Sequence, residues 1–325
     1  MDTIELILPA SEVPNTDLLG EIPVHLSNVG HHNYEGGISV SGRLGRLVVG
    51  VTDGRVKVSG SLPKWYLGNN LQMIDRNGIH ESIVRMSDML HLPMDRAQVK
   101  EFHYAENLEM NYSPDLYFRY LGPNGHYRRY MIDDTLYYKL SGKTLVYYDK
   151  IKEYKSHKEP VPRQFKGIHL FRYEKRYLWA AKCFKRDKLT AAMLYEPDFY
   201  QAIKEDWYKD YLSIWKIRKP MINFNIVKTK KQFASMSELA FIESNGGVQK
   251  MLLDLDEGRK TRRLSRKQVC DLKKEVTIAS NNKQFTCESE LITELDMKMA
   301  EAMAIKTNNK FRSNGMEDYN WYPGI

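Results

Sequence analysis

Residues 143–153, Lys-Thr-Leu-Val-Tyr-Tyr-Asp-Lys-Ile-Lys-Glu, constrain what this chain can fold into more than any other stretch. β-Branched and aromatic residues cluster there between a Ser141-Gly142 turn and a charged exit, which is the pattern of a strand. Side chains alternate across a strand, so Val146, Tyr148 and Lys150 are expected on one face and Tyr147 and Asp149 on the other. A phenol then stands one alternation from an ammonium. A tyrosine becomes a nucleophile when its proton can leave and a nearby cation stabilises the phenolate. The same cation can hold the phosphate under attack. Taken alone, the segment better suits a half-buried strand whose lysine snorkels to water.

Charge adds a second signal, though charge alone suits a solvated basic face better. The chain carries a net +8, but residues 1–100 hold nine Lys/Arg against eleven Asp/Glu, so the excess lies beyond residue 100. Between Lys139 and Lys188 there are fifteen basic and five acidic residues, together with Tyr147, Tyr148, Tyr154, Tyr173 and Tyr177. Cations for phosphates interleaved with rings for unstacked bases point to nucleic acid. A content of 42% hydrophobic and 28% charged residues argues for a folded chain rather than a disordered one. No apolar run approaches the length of a membrane span. The amino terminus, with Asp2 and Glu5, reads as a strand and not as a signal peptide. Cys183, Cys270 and Cys287 are widely spaced with no CxxC pair, which argues against a disulfide framework or zinc ribbon and suits a reducing cytoplasm.

Strand signals fill the first half. They fall at Thr3–Leu8, Val24–Ser27, and Gly37–Val40 with Leu44–Thr52 about a Ser41-Gly42 turn. Arg55–Ser59 follows across Asp53-Gly54, a strong hairpin signal. Helical spacing at Ile79, Ile83, Met86 and Leu90 predicts a helix. Strands are then expected at Gln98–Ala105, Leu116–Leu121, Tyr127–Ile132, Thr135–Leu140, Lys143–Lys150 and Ile168–Tyr177. From about residue 186 the pattern turns helical. Phe199, Ile203, Trp207, Tyr211 and Ile214 follow Pro197, Ser237–Asp256 is broken at Asn245-Gly246-Gly247, and Ser265 with Gln268 forms a capping box. A last helix is expected near Glu288–Ile305 and a poorly ordered tail at Asn308–Ile325. The fold class is α+β: an antiparallel, sheet-rich module over residues 1–185, then a mostly helical DNA- or partner-binding module over 186–325.

Three segments then line up. Val58-Ser59-Gly60-Ser61-Leu62-Pro63-Lys64 leads through Gly68 to Asn70; Thr144, Tyr148, Lys150 and Glu153 mark the second; Arg172, Glu174 and Arg176 mark the third. In this order and spacing they resemble the gene II replication initiators of filamentous phages and the related phage and plasmid replication proteins. That family carries a Ser-Pro-x-Lys…Gly-His-Asn segment, a Thr-Leu-Val-x-Tyr-x-Lys…Glu strand and an Arg-Phe-Glu-x-Arg strand. The resemblance covers roughly residues 55–180. It implies a metal-dependent nuclease with a fold like that of the His-hydrophobe-His (HUH) superfamily, which nicks one strand at an origin, stays linked to the 5′ phosphate through a tyrosine and later rejoins the ends. The family's nucleophile carries over to Tyr148. Lys150 is its expected partner. Tyr173 is a rival, but alternation aims Arg172, Glu174 and Arg176 together and turns Tyr173 away.

The resemblance also implies Mg²⁺ or Mn²⁺. The namesake pair of histidines is absent, and the nearest match is Glu101-Phe102-His103, where Glu101 and His103 share a face and Phe102 points to the core. Glu174 is the candidate third ligand, or else a partner of Arg172 and Arg176. Gly68-Asn69-Asn70 replaces the family's Gly-His-Asn. His31-His32 reads as a loop, and His126, His157 and His169 as exposed. Trp207, Tyr208, Tyr211 and Trp215 suit core more than stacking. The cations expected on DNA are Lys64, Lys143, Arg172, Arg176, Lys182, Lys185 and Arg186. The expected partner is origin DNA, single-stranded or supercoiled, with a host helicase left open. Two further readings are a non-catalytic DNA-binding replication regulator and a relaxase or transposase.

Overall fold

The computed structural model describes residues 1–34 and 37–304. Gly36 of the expected Gly36-Gly37 turn, Ile305 and the Asn308–Ile325 tail lie outside the described residues. The first strands are β1 (Thr3–Pro9), β2 (Ser27–Tyr34), β3 (Gly37–Leu44), β4 (Leu47–Thr52), β5 (Arg55–Ser61) and β6 (Gln98–Met110). Next come β7 (Leu121–Asn124), β8 (Arg128–Ile132), β9 (Thr135–Leu140), β10 (Lys143–Asp149) and β11 (His169–Tyr177). Three short ones follow: β12 (Ile214–Lys216), β13 (Lys219–Pro220) and β14 (Thr286–Cys287). Ten of them build one antiparallel sheet in the order β2-β3-β4-β5-β1-β6-β11-β10-β9-β8. β7 pairs with β12, and β13 with β14, outside it.

Local chemistry explains most of this. Ile4, Leu6 and Leu8 alternate into the core from β1. The Asp53-Gly54 and Ser141-Gly142 turns close their hairpins, Gly142 with φ +79°. The Ser41-Gly42 turn does not form. Both residues lie inside β3, and the chain reverses between Leu44 and Leu47 at Gly45, φ +59°. Gly42 is small for another reason: a Cβ there would come within 2.8 Å of Leu26. The strand expected at Leu116–Leu121 is replaced by a helix, Pro114–Phe118, with proline at its first turn and Tyr117 and Phe118 packed on Phe171. The strand expected at Val24–Ser27 is also displaced. Pro23–His25 forms a tight turn, and the strand starts at Ser27, so His31 and His32 sit on an exposed edge strand and not in a loop.

Helices cover one face of the sheet. The Pro197–Leu212 helix buries Phe199, Ile203, Trp207 and Tyr211 against it, with the Trp207 ring 4.8 Å from Tyr173 and 5.6 Å from Tyr104. The Glu290–Ala304 helix adds Ile292, Leu295 and Met299 to the same core. That core therefore runs across the division expected at residue 185. The Lys230–Ser244, Gly247–Lys260 and Arg266–Ser280 helices share a smaller core of Ile217, Ile242, Val248, Val276 and Ala279. The Ser265/Gln268 capping box is present. Among the described residues no helix is long and apolar enough to cross a membrane. The architecture is α+β, with a large antiparallel sheet and a helical C-terminal region.

Candidate functional site

On the face of the sheet opposite the Trp207 helix, a charged cluster lies beside a small apolar one of Leu71, Ile151, Tyr154 and Leu170. Register brings Tyr148 opposite Arg172, Val146 opposite Glu174 and Thr144 opposite Arg176, while Arg176 faces His103 on β6. Paired residues share a face, so Tyr148, Arg172, Glu174, Arg176 and His103 converge. The Tyr148 hydroxyl donates to Glu174 Oε2 at 3.1 Å. The rival tyrosine goes the other way: Tyr173 is buried, stacked on Tyr147 at 4.4 Å, and donates to the Trp207 carbonyl at 3.0 Å. Tyr148 keeps partial exposure.

Glu174 is the hub. Its Oε1 accepts from His103 Nδ1 at 3.0 Å and from Arg176 Nε at 2.8 Å; its Oε2 accepts from Arg172 Nε at 3.3 Å and from Tyr148. A carboxylate offers about four acceptor positions, and all are taken. Of the two roles expected of Glu174, the structure shows the pairing with Arg172 and Arg176. Burial opposes its charge, but the His103 hydrogen bond and the Arg172 guanidinium hold its pKa well below the usual carboxylate range.

His103 joins two carboxylates, Nδ1 to Glu174 and Nε2 to Glu101 Oε1 at 2.7 Å. Burial disfavours its charge, yet hydrogen bonds to Glu101 and Glu174 outweigh that and raise its pKa above 6.5. The His103 hydrogen bond is the main cause holding Glu101 low. Among the described residues no group of three or more His, Cys, Asp or Glu is arranged to hold a metal ion. What the donor set does offer is a histidine oriented from behind by a buried carboxylate, leaving Nε2 and Glu101 side by side, as in carboxylate–histidine–metal arrangements. Glu5 lies directly across from Glu101, beside a register shift of the kind that re-aims side chains. Like charges placed so repel, and Lys57 offsets them at 2.7 Å from Glu5.

Arg172 is fully buried and its donors are used. Nη2 meets Asp2 at 2.6 Å, Nη1 meets Asn107 Oδ1 at 3.1 Å and the Asn70 carbonyl at 3.3 Å, and Nε meets Glu174. It cannot touch DNA, contrary to the sequence expectation. It sets the field around Tyr148, its guanidinium 5.9 Å from that ring. Ser61 anchors Asp2 in turn at 2.6 Å.

Lys150 also departs from expectation in how it arrives. β10 ends at Asp149, whose carboxylate caps the Lys150–Ser156 helix by accepting from Lys152 N at 2.9 Å. Lys150 is therefore the first helical residue and not a strand residue. It still reaches the Tyr148 ring, 5.9 Å away, and pairs with Glu153 at 2.6 Å. Burial and the nearby Arg172 lower its pKa, against the pull of Glu153. Burial likewise pushes the Tyr148 phenol well above 10, with Arg172 opposing and Glu174 adding to the rise.

The other expected cations divide. Arg176 stays 35% exposed at the open side of the hub. Lys143 lies on the helix-covered face, paired with Asp206 at 3.1 Å, so it is not on the Tyr148 side. Lys64 pairs with Glu159 at 2.7 Å. Lys182, Lys185 and Arg186 are exposed beyond β11, with Lys182 over the Trp179 ring. Sequence reasoning missed Asp2, Glu5, Ser61 and Asn107, whose roles depend on strands far apart in the chain. It also passed over Arg259, Lys260, Arg262, Arg263, Arg266 and Lys267, six exposed cations at one helix junction, a run readable from composition alone.

No curated protein matches the chain. A family model described as the N-terminal part of a phage replication-associated protein, the gene II type, matches residues 5–194, more than half of the chain's length and all of the sheet site except Asp2. This chain belongs to that family, the gene II-type phage replication initiators.

Proposed function

We propose that the protein initiates rolling-circle replication by nicking one strand of origin DNA through Tyr148, using an HUH-like nuclease face. The observation that carries this reading is the placement of Tyr148. It is partly exposed on the charged face, hydrogen-bonded to a carboxylate and flanked by Arg172 and Lys150, whereas Tyr147 and Tyr173 are buried on the other face.

The phenol oxygen attacks the scissile phosphorus as its proton passes to water. The bond to the 3′ oxygen breaks, that oxygen takes up a proton and leaves as a free 3′ hydroxyl, and a 5′-phosphotyrosine forms. Attack by a 3′ hydroxyl on that link reverses the step and rejoins ends. Glu174 fixes the direction of the phenol. Arg172 favours the phenolate, which burial and Glu174 resist, and Lys150 brings a second cation to 5.9 Å from the ring. Arg176, open to solvent, is placed for a phosphate oxygen. Glu101 and His103 Nε2 are the residues that would hold Mg²⁺ or Mn²⁺. Such an ion, when bound, neutralises charge building on the non-bridging oxygens.

The test is incubation with supercoiled DNA carrying the adjacent origin and Mg²⁺ or Mn²⁺, scored for protein covalently attached to a 5′ end. The wild type should form the adduct. A wild type that binds this DNA yet never forms it would reduce the protein to a DNA-binding regulator.

A further inference from the structure

The open face of the sheet continues outward from the site in two ordered rows. Arg128 pairs with Lys139, Lys139 with Thr144, and Thr144 with Arg176, so three cations cross the sheet in one line that ends at His103. The adjacent row, two residues along each strand, runs Tyr130, Tyr137, Val146, Glu174. Tyr130 and Tyr137 are stacked, their centroids 5.2 Å apart and their planes 8° from parallel, and both rings are half-buried. Arg128 and Lys139 are exposed. The neighbouring Tyr138 shows the contrast, since it points to the covered face and is buried against Tyr147.

We propose that Tyr130 and Tyr137, with Arg128, Lys139 and Arg176, form a platform for the single-stranded DNA that leads away from the nick. Its bases lie on the rings and its phosphates along the cations. This rests on the reading of Tyr148 as the nucleophile. Strands lie ~4.8 Å apart and alternate residues ~6.8 Å apart, which places the two rings roughly 10 Å from Tyr148. That is about three stacked nucleotides at ~3.4 Å each. The solvent-facing parts of these half-buried rings can stack only on unpaired bases, because a duplex hides its base faces in the stack. At the sheet edge Arg128 and Tyr130 also line a cavity of about 690 Å³ whose far wall carries Arg259 and Lys260, with Lys273 paired there to Asp256 at 2.7 Å. A tyrosine pair that served only the hairpin would stabilise it through cross-strand contact and would not need the cation row beside it.

The test uses full-length protein in a Tyr148→Phe background, so that binding is read without cleavage, and labelled oligothymidylate of about 12 nucleotides. The comparison probe is the same strand in duplex with oligodeoxyadenylate. Tyr130→Leu with Tyr137→Leu keeps apolar contact in the hairpin and removes the aromatic faces. Single-strand affinity should fall roughly tenfold or more per ring, duplex affinity should hold, and the Phe versions should restore binding. Arg128→Gln and Lys139→Gln should each flatten the salt dependence by about one phosphate contact. Unchanged single-strand binding in the double Leu variant, with unchanged thermal melting, overturns the platform, and so does an equal loss on both probes. Failure of the nucleophile reading looks different: wild-type protein would bind the oligonucleotide through the rings yet form no adduct on origin DNA.

Discussion

The two faces of the ten-stranded sheet are made from the same residue types and put them to opposite uses. On the covered face Tyr147, Tyr173 and Trp207 stack in sequence, 4.4 Å and then 4.8 Å apart, and the buried Lys175 is neutralised by Asp206 and Asp210. On the open face Tyr148 meets Glu174, Arg172 and Lys150, and the network reaches solvent through Arg176 and Glu101. Burial pushes the phenols of Tyr147, Tyr148 and Tyr173 all well above their ordinary value. A raised pKa therefore does not single out a functional tyrosine here. Partner and exposure distinguish Tyr148, and both follow from strand parity: one position along β10 separates a ring that packs from the phenol proposed to react.

The sharpest way to break this comparison is to remove one oxygen from each neighbour. Tyr148→Phe should eliminate the covalent adduct, a loss of at least about a thousandfold, as expected for a missing nucleophile, where only binding and the surrounding electrostatics remain. Its melting temperature should stay near that of the wild type. Tyr147→Phe should leave the adduct rate within about twofold, because its oxygen is on the covered face. Adduct formation that survives in Tyr148→Phe and disappears in Tyr147→Phe would invert the assignment of the two faces.

Arg172 measures how far the open face depends on its buried charge. Arg172→Met leaves Asp2 and Glu174 without their shared counter-ion in a site that is closed to water on that side. Breaking a buried network this way costs about 3–5 kcal/mol, read as a drop in urea midpoint at constant m. A cost below about 1 kcal/mol would mean that water or another cation replaces the guanidinium.

The open face should also respond to pH where the covered face does not. His103 has a raised pKa, so its contribution to stability is complete below about 6.5 and is lost as pH rises through the higher folded value. Metal binding at Nε2 requires the same proton to leave. Stability and nicking should therefore move in opposite directions across that window, the urea midpoint falling while the adduct rate rises. His103→Gln should flatten both profiles. Parallel profiles would remove His103 from the proposed metal position.

Legibility followed the range of the interactions. The β10 and β11 alternation, the Asp53-Gly54 hairpin and the Ser265/Gln268 cap were readable because a few neighbouring residues decide them. The convergence of Tyr148, Glu174 and Arg176 followed from that alternation together with the family resemblance. Arg172 was misjudged because its partner Asp2 is 170 residues away and nothing near Arg172 announces burial. Lys150 was misplaced although a local signal was available: Asp149 is a good helix cap, with Glu153 in the first turn. The strand preference of the surrounding residues masked it. The Pro114–Phe118 helix was missed likewise, its aromatic residues reading as strand until packing on Phe171 decided otherwise.

The smallest expected effect tests the covered face directly. Tyr173 donates its hydroxyl hydrogen to the Trp207 carbonyl, and its ring lies between Tyr147 and Trp207. Tyr173→Phe keeps the stack and removes one neutral hydrogen bond, which costs about 1 kcal/mol. For a chain of this size that is a shift of about one to two degrees in melting temperature. The adduct rate should not change, because Tyr173 cannot reach the open face without leaving its stack. If Tyr173→Phe abolishes the adduct while melting shifts by no more than this, the covered face opens during the reaction and Tyr173 is the attacking residue. The parity argument for Tyr148 would then fail at its root.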